Sequence, residues 1–318
     1  MKILVTGSAG FLGTRLVRAL LSNPPEFPSF TSIVAADTAP CPVDDHRVEP
    51  HVGSIVDSAL LARLVTPDVG LVYHLAAVLS GQSEAEFDTG MRVNMDGTRA
   101  LLEACRAPGV APRFVFSSTV AVFGGDLPPV VPEDYVLQPQ TTYGVGKVIA
   151  EQLVTEYSRR GYVDGVICRL ATITVRPGKP NSALSSFVSG IIREPLAGID
   201  TVCPVPLETP LWISSPDAVT ANLVQAGRLA AGALGWRRAL NLPGLSATAG
   251  EMLASLERIG GAAARSRVRV ERDERVARAM CGWPAALDAR RALSLGFVGD
   301  RSVDAIVEQY ANTIGLRQ

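Results

Sequence analysis

The 318-residue chain carries no excess charge of either sign: 30 basic against 31 acidic side chains leave a formal net charge of -1. Without a basic face it offers no electrostatic footprint, so neither nucleic acid nor an anionic membrane is an expected partner. Histidine is scarce. His46, His51 and His74 are the three, and none stands at a helical or hairpin spacing from a second ligand, so no metal site is expected. The five cysteines, Cys41, Cys105, Cys168, Cys203 and Cys281, are scattered, odd in number and without a CxxC pair. That is the usage of a reducing compartment, not of a disulfide framework. Long apolar runs are missing too. The opening MKILVTGSAGFLGTRLVRALL is interrupted by glycines and by Arg15 and Arg18, which fits neither a membrane span nor a cleavable signal. A cytoplasmic protein is expected, with no internal repeat, low-complexity tract or long linker.

What the chain does have is an alternation of apolar runs and amphipathic segments. KILVT at 2–6 ends in a glycine turn, and the next segment places Leu16, Val17, Leu20 and Leu21 on one helical face before Asn23, Pro24 and Pro25 stop it. SIVAAD at 32–37 follows as a buried strand, completing a βαβ unit with a right-handed crossover and a parallel sheet. A helix around 58–65, a strand at 71–75, a long helix over about 87–107, a strand at 113–118, a helix over about 142–161 and a strand at 166–170 continue the rhythm. Strands apolar on both faces between helices predict an α/β fold, a Rossmann-type doubly wound parallel sheet. Beyond Leu170 the chain becomes irregular and proline-rich, with a helix near 216–230 and a strand at 238–244 returning to the sheet. The predicted division is a sheet domain over 1–175, with 211–245 returning to it, and a smaller C-terminal substrate-binding lobe from 176–210 and 246–318.

TGSAGFLG places Gly7, Gly10 and Gly13 between a predicted strand and a predicted helix. There the glycines permit a tight turn, close backbone approach to a pyrophosphate and close packing of helix on strand, while the helix N-terminus stabilises the anion. A lone glycine triplet is a weak signal. Here the next strand ends in Asp37, at the distance where a carboxylate accepts hydrogen bonds from an adenosine ribose and repels a 2′-phosphate. NAD is therefore expected over NADP.

Tyr143 and Lys147, in TTYGVGK, are four residues apart and share one face of a helix. An ammonium beside the phenol favours its ionised form, and such a phenol acts as a base near neutral pH. Alone, YxxxK fits an exposed helix. Downstream of the glycine turn it reads as a nicotinamide site with its own proton-transfer group.

The glycine turn, HLAA at 74–77, Asn94 in VNMDGT, FSSTVAVFG at 116–124 and YGVGK at 143–147 occur in this order and resemble the extended short-chain dehydrogenase/reductase family over nearly the whole chain. FVFSSTVAVFGG, VDGVICRL and RPGKPNSALSSF are similar to a branch that oxidises four-carbon aldonates with NAD. The resemblance implies that Tyr143 is the catalytic base and that Lys147 holds the nicotinamide ribose and lowers the tyrosine pKa. The substrate-orienting hydroxyl falls on Thr119, where many relatives have serine, with Ser117 and Ser118 the alternative hydroxyls. Implied cofactor contacts come from Gly7, Gly10, Phe11, Leu12, Gly13 and Asp37, from Leu75, Ala76 and Ala77, and from Asn94, Tyr143 and Lys147. Two positions depart from the family pattern. Ser54 and Ile55 stand where relatives hold adenine with an Asp followed by a hydrophobe, and Ala171 stands where many carry a proline beside the nicotinamide. The resemblance also implies a homodimer through the helices near 87–107 and 142–161.

The implied substrate is a small sugar acid, which needs a carboxylate partner and several hydroxyl partners. Ser80, Arg176, Asn181 and Arg193 are the candidates beside Thr119 and Tyr143, because a guanidinium meets a carboxylate with two parallel hydrogen bonds. The bland alternative for each arginine is a surface or interface charge. The implied chemistry is removal of the C2 hydroxyl proton by Tyr143, with Thr119 orienting that oxygen and NAD taking the hydride. Two rivals share the fold: a nucleotide-sugar epimerase or dehydratase that retains NAD, and a protein that binds dinucleotide without turnover, which has no need of Thr119, Tyr143 and Lys147 together.

Overall fold

The computed structural model describes residues 1–181 and 183–316. Six strands, β1 (Lys2–Thr6), β2 (Ile33–Asp37), β3 (Val48–Val52), β4 (Val69–His74), β5 (Arg113–Thr119) and β6 (Asp164–Leu170), join the short strand Ala239–Asn241 in one seven-stranded sheet. The order across it is Ala239–Asn241, β6, β5, β4, β1, β2, β3. β1 pairs in parallel with β2 on one side and β4 on the other, placing Thr6 opposite Ala36 and His74. Strand order reverses between β1 and β4, and in open α/β sheets the crevice beyond the carboxyl ends at such a point receives the ligand. Gly7 and Leu75 follow those two strand ends directly.

The central strands are apolar on both faces, as the parallel arrangement requires. Ile3, Leu4, Val5 and Phe114 are fully buried, each contributing about 1.5–3 kcal/mol relative to exposure. Leu101, Leu102, Ala150 and Val154 pack with Val72, Phe114, Phe116 and Ile167 in one core, so the helices Thr98–Arg106 and Thr142–Arg159 cover β4, β5 and β6. β3 has no predicted counterpart. Its sequence VEPHV lacks an apolar run and contains Pro50, which a sheet tolerates at an edge position such as this one.

The helix predicted over 87–107 is three pieces: an α-helix at Phe87–Met91, a π-helical turn at Arg92–Gly97 and an α-helix at Thr98–Arg106. The wider turn lets Asn94 point inward, where it is 3% exposed and clamps the backbone of Val78. Such turns recur at functional sites.

The chain forms two compact units, one of residues 1–119, 141–169 and 220–240, the other of 120–140, 170–219 and 241–318. This differs from the predicted boundaries in 120–140, 170–175, 211–219 and 241–245. The reason lies in strand pairing: Pro210–Ser214 pairs antiparallel with Leu245–Thr248 and parallel with Thr172–Ile173, making a separate three-stranded sheet. Only Ala239–Asn241 returns to the large sheet. The second unit has its own core, in which Val188, Ile191 and Ile192 pack with Met252, Leu253, Leu256, Ile306 and Val307. Among the described residues no helix is long and apolar enough to cross a membrane, and no group of three His, Cys, Asp or Glu side chains is arranged to hold a metal ion.

Candidate active site

The glycine turn is fixed by steric necessity. Gly7 has φ +75°, and a Cβ there would lie 2.7 Å from the amide nitrogen of Ala76; a Cβ on Gly13 would lie 2.0 Å from the Gly7 carbonyl oxygen, and one on Gly10 3.2 Å from the same atom. Only hydrogen fits at Gly7 and Gly13. Gly10 begins the helix Phe11–Leu21 with no side-chain cap and no acidic residue in the first turn. The first-turn N–H groups of Phe11, Leu12 and Gly13 therefore remain available to an anion. Ser8 Oγ is buried with no hydrogen-bond partner among the described residues. The Asp37 carboxylate borders this cradle, accepting from the amides of Ala9 at 3.0 Å and Ala39 at 3.3 Å. A cradle that a methyl group would fill, an uncapped helix start and an orphan hydroxyl fit a dinucleotide pyrophosphate.

On the far side of the switch point, Asn94 Oδ1 accepts from the Val78 amide at 2.8 Å and Nδ2 donates to the Val78 carbonyl at 3.0 Å. Asn94 thereby fixes the stretch that carries Leu75, Ala76 and Ala77. His74 ties the two halves together. Thr98 Oγ1 donates to the Asn94 carbonyl at 2.8 Å and so accepts from His74 Nε2 at 2.9 Å, leaving Nδ1 to accept from Thr6 Oγ1 at 2.8 Å. Burial, with the charge of Lys147 second, pushes the His74 pKa down to about 3, so the ring is a neutral cross-link from β4 to β1 and to the start of the helix Thr98–Arg106. Ser80 opens the helix Ser80–Ala85 and is buried. Ile55 is buried and packs against Gly97, whose Cβ would lie 2.8 Å from Ile55 Cδ1, while Ser54 Oγ accepts from the Val56 amide at 3.4 Å.

Thr119, at the carboxyl end of β5, and Tyr143, in the first turn of the helix Thr142–Arg159, meet through a side-chain hydrogen bond. That helix starts where it does because Thr141 Oγ1 accepts from the Gly144 amide at 3.1 Å. Ser117 and Ser118 are spent elsewhere: Ser117 Oγ donates to the His74 carbonyl at 3.0 Å and Ser118 Oγ to Glu151 Oε1 at 2.5 Å. Of the three hydroxyls, Thr119 is the one on the tyrosine.

Lys147 is 2% exposed, donates to the Ser117 carbonyl at 2.7 Å, and lies 5.7 Å from the centroid of the Tyr143 ring and 4.6 Å from that of Phe116. Its pKa is pushed down to about 7 by burial and held up by Glu151. The Tyr143 phenol differs from the sequence expectation of a lowered pKa. Desolvation pushes it up to about 12, against the opposing Thr119 hydrogen bond, because crowding by protein outweighs an ammonium that sits beside the ring and bonds Ser117.

Behind this pair lies a buried ionic group that the motif reading passed over. Glu151, 2% exposed, takes the Ser118 hydroxyl and the Arg169 guanidinium, whose Nε and Nη2 donate at 3.0 and 2.8 Å; Arg169 is itself 5% exposed. Two signals pointed there: an acid four residues after Lys147, and an arginine inside the apolar strand sequence VICRL.

In the second unit, Ala171 is buried. Arg193 is buried and its guanidinium is occupied, Nη1 by the Arg176 carbonyl at 2.8 Å and Nη2 by Glu194 at 2.5 Å. Arg176 is half-buried, donates to Asn181 Oδ1 at 3.2 Å, and has a buried Nε with no hydrogen-bond partner among the described residues. Burial and the neighbouring charge of Arg193 lower its pKa. Of the two predicted carboxylate partners, Arg176 is the one with donor capacity to spare, and Arg193 supports it.

A model of the NAD dependent epimerase/dehydratase family matches residues 3–224. The chain is 52% identical to a D-erythronate dehydrogenase of Cupriavidus necator over 99% of each chain, and 40% identical to a D-erythronate dehydrogenase of Haemophilus influenzae over 98% of each. The crystal structure of a nucleoside-diphosphate-sugar epimerase from Agrobacterium tumefaciens superposes with a TM-score of 0.93 at 36% identity, covering 98% of this chain and 94% of that one.

Proposed function

The chain belongs to the NAD dependent epimerase/dehydratase family, and on that footing we propose that it oxidises the C2 hydroxyl of D-erythronate to the 2-oxo acid. It is an NAD-dependent dehydrogenase acting on a CH–OH group. The observation that carries the reading is the Thr119–Tyr143 pair with Lys147 buried beside it, at the crevice of the glycine turn. The choice of D-erythronate is supported by the two relatives of that name, matched from end to end.

Bound NAD supplies the hydride acceptor and, in its oxidised form, a positive charge. The chain supplies the rest. The glycine cradle and the start of the helix Phe11–Leu21 hold the pyrophosphate, Asp37 accepts from the adenosine ribose, and Lys147 donates to the nicotinamide ribose. Thr119 hydrogen-bonds the C2 oxygen of the substrate and sets it against Tyr143. The ionised Tyr143 takes the hydroxyl proton as the C2 hydrogen leaves. NADP would bring its 2′-phosphate against the Asp37 carboxylate, so a strong preference for NAD is expected. Equal kcat/KM for the two cofactors would count against that role.

Arg176 binds the substrate carboxylate, with Asn181 and Ser80 contributing to the hydroxyl partners and Arg193 holding Arg176 in place. Arg176→Ala is expected to lower kcat/KM for D-erythronate roughly 10- to 100-fold, the weight of one or two charge-assisted hydrogen bonds. The weak rate on neutral polyols should not change. Steady-state kinetics on both substrate types checks it, and full activity of the variant on D-erythronate would remove Arg176 from the site.

A second reading, epimerisation of a nucleoside-diphosphate sugar with NAD retained, draws on the superposition at a TM-score of 0.93 with the Agrobacterium protein. The 52% identity to a dehydrogenase over 99% of each chain weighs more. The readings part on one observable, since only the dehydrogenase releases NADH in step with substrate. A role in sugar acid catabolism, a cytoplasmic location and a two-fold homodimer through the segments near 87–107 and 142–161 complete the proposal. Sedimentation as a monomer at micromolar concentration would contradict the last.

A further inference from the structure

The Glu151–Arg169 pair needs a reason to exist. A buried ion pair adds little stability over an apolar pair of the same volume, whereas removal of one partner strands the other charge. Packing does not account for it. Its position does suggest a purpose. Glu151 follows Lys147 by one helical turn, so the carboxylate and the ammonium share a face, and both are 2% exposed. Three consecutive residues of β5 then divide the work: the Ser117 carbonyl takes the Lys147 ammonium, the Ser118 hydroxyl goes to Glu151, and Thr119 meets Tyr143. Arg169, from the neighbouring strand β6, closes the set on Glu151.

We propose that Glu151, fixed by Arg169 and Ser118, is a positioning residue that favours the ammonium form of Lys147 in its buried seat. The remaining groups around Lys147 cannot do this. On its own helix Tyr143 is a neutral phenol, β5 contributes the Phe116 ring and the Ser117 carbonyl, and β4 contributes His74, which is neutral. From the π turn, Asn94 is uncharged, while Arg92 and Asp96 are exposed. Glu151 is the carboxylate that offsets the cost of burying the ammonium, and Arg169 fixes it in place through Nε and Nη2. The consequence is chemical: without an ammonium at this position, the phenolate of Tyr143 loses its cationic neighbour.

This rests on the reading of Tyr143 and Lys147 as the acid–base pair, but its test does not need turnover. The chain has three lysines, Lys2, Lys147 and Lys179, so selectively labelled lysine gives three resolvable side-chain signals in NMR, with Lys147 assigned from a Lys147→Met sample. In Glu151→Gln, which keeps the shape and the hydrogen bonds to Ser118, the Lys147 titration midpoint is expected to fall by about one pH unit or more. The neutral pair Glu151→Gln/Arg169→Met avoids a stranded guanidinium and should fold if the single variant does not; its Lys147 midpoint should also lie below the wild type. An unmoved midpoint in whichever variant folds overturns the proposal, even if activity or stability is lost, because a merely structural role would leave the titration in place. Failure of D-erythronate oxidation with a shifted midpoint would instead indict the functional reading and leave the coupling standing.

Discussion

Tyr143→Phe is expected to lower kcat by roughly 10²- to 10⁴-fold, the usual weight of a general base, while NAD binds with nearly unchanged affinity. The substitution removes one oxygen and no volume of consequence. The ring keeps its place in the first turn of the helix Thr142–Arg159, because the cap by Thr141 and the contacts of Gly144 and Gly146 do not involve the hydroxyl. What is lost is the proton acceptor and the partner of Thr119. With the phenol pushed up to about 12 in the free protein, the wild-type oxidation rate should climb with pH, and the phenylalanine variant should lose that climb along with the rate. Calorimetry with NAD and steady-state kinetics over a pH series check both halves. A variant retaining a large part of the wild-type rate, or losing NAD affinity, would contradict the assignment.

Lys147→Met is expected to cost as much in rate and, unlike the tyrosine variant, to weaken NAD binding too. The methionine fills most of the same buried space but donates nothing to the nicotinamide ribose or to the Ser117 carbonyl, and it removes the cation beside Tyr143. Folding should survive. The folded-state pKa of Lys147 is pushed down from 10.5 to about 7, so between these values the unfolded chain holds a proton that the folded chain does not. Stability contributed by this group is therefore complete above about pH 10.5 and is lost as pH falls towards 7. In the methionine variant that slope disappears. A denaturation series from pH 7 to 10 on both proteins separates loss of function from loss of fold; unchanged NAD affinity in Lys147→Met would sink its cofactor role.

The βαβ alternation was legible because parallel strands buried on both faces read as continuous apolar runs, as in KILVT and VICRL, and because Gly7 and Gly13 admit no side chain. β3 was not legible, since an edge strand such as VEPHV needs no apolar pattern. The break in the helix at Arg92–Gly97 was hidden for a similar reason: a π turn keeps helical periodicity at both ends and announces itself only through where Asn94 points. The second unit escaped the predicted boundaries because 210–214 and 245–248 are apolar enough for either sheet, and pairing partners, not composition, decide membership. At the site, spacing pointed to Tyr143 and Lys147 and the order of motifs pointed to Thr119. The sense of the tyrosine pKa was not readable, since it depends on how much protein surrounds the phenol. The Glu151–Arg169 pair needed the fold to bring residues 18 apart in sequence into contact.

The most direct measurement of the central claim is stoichiometric: purified protein incubated with NAD and D-erythronate, with NADH followed by absorbance and the acid product by mass spectrometry. The account predicts one NADH for each 2-oxo acid formed, with nucleoside-diphosphate sugars inert. Turnover of a nucleoside-diphosphate sugar with no net NADH, in a protein that ignores D-erythronate and its four- to six-carbon relatives, would contradict it.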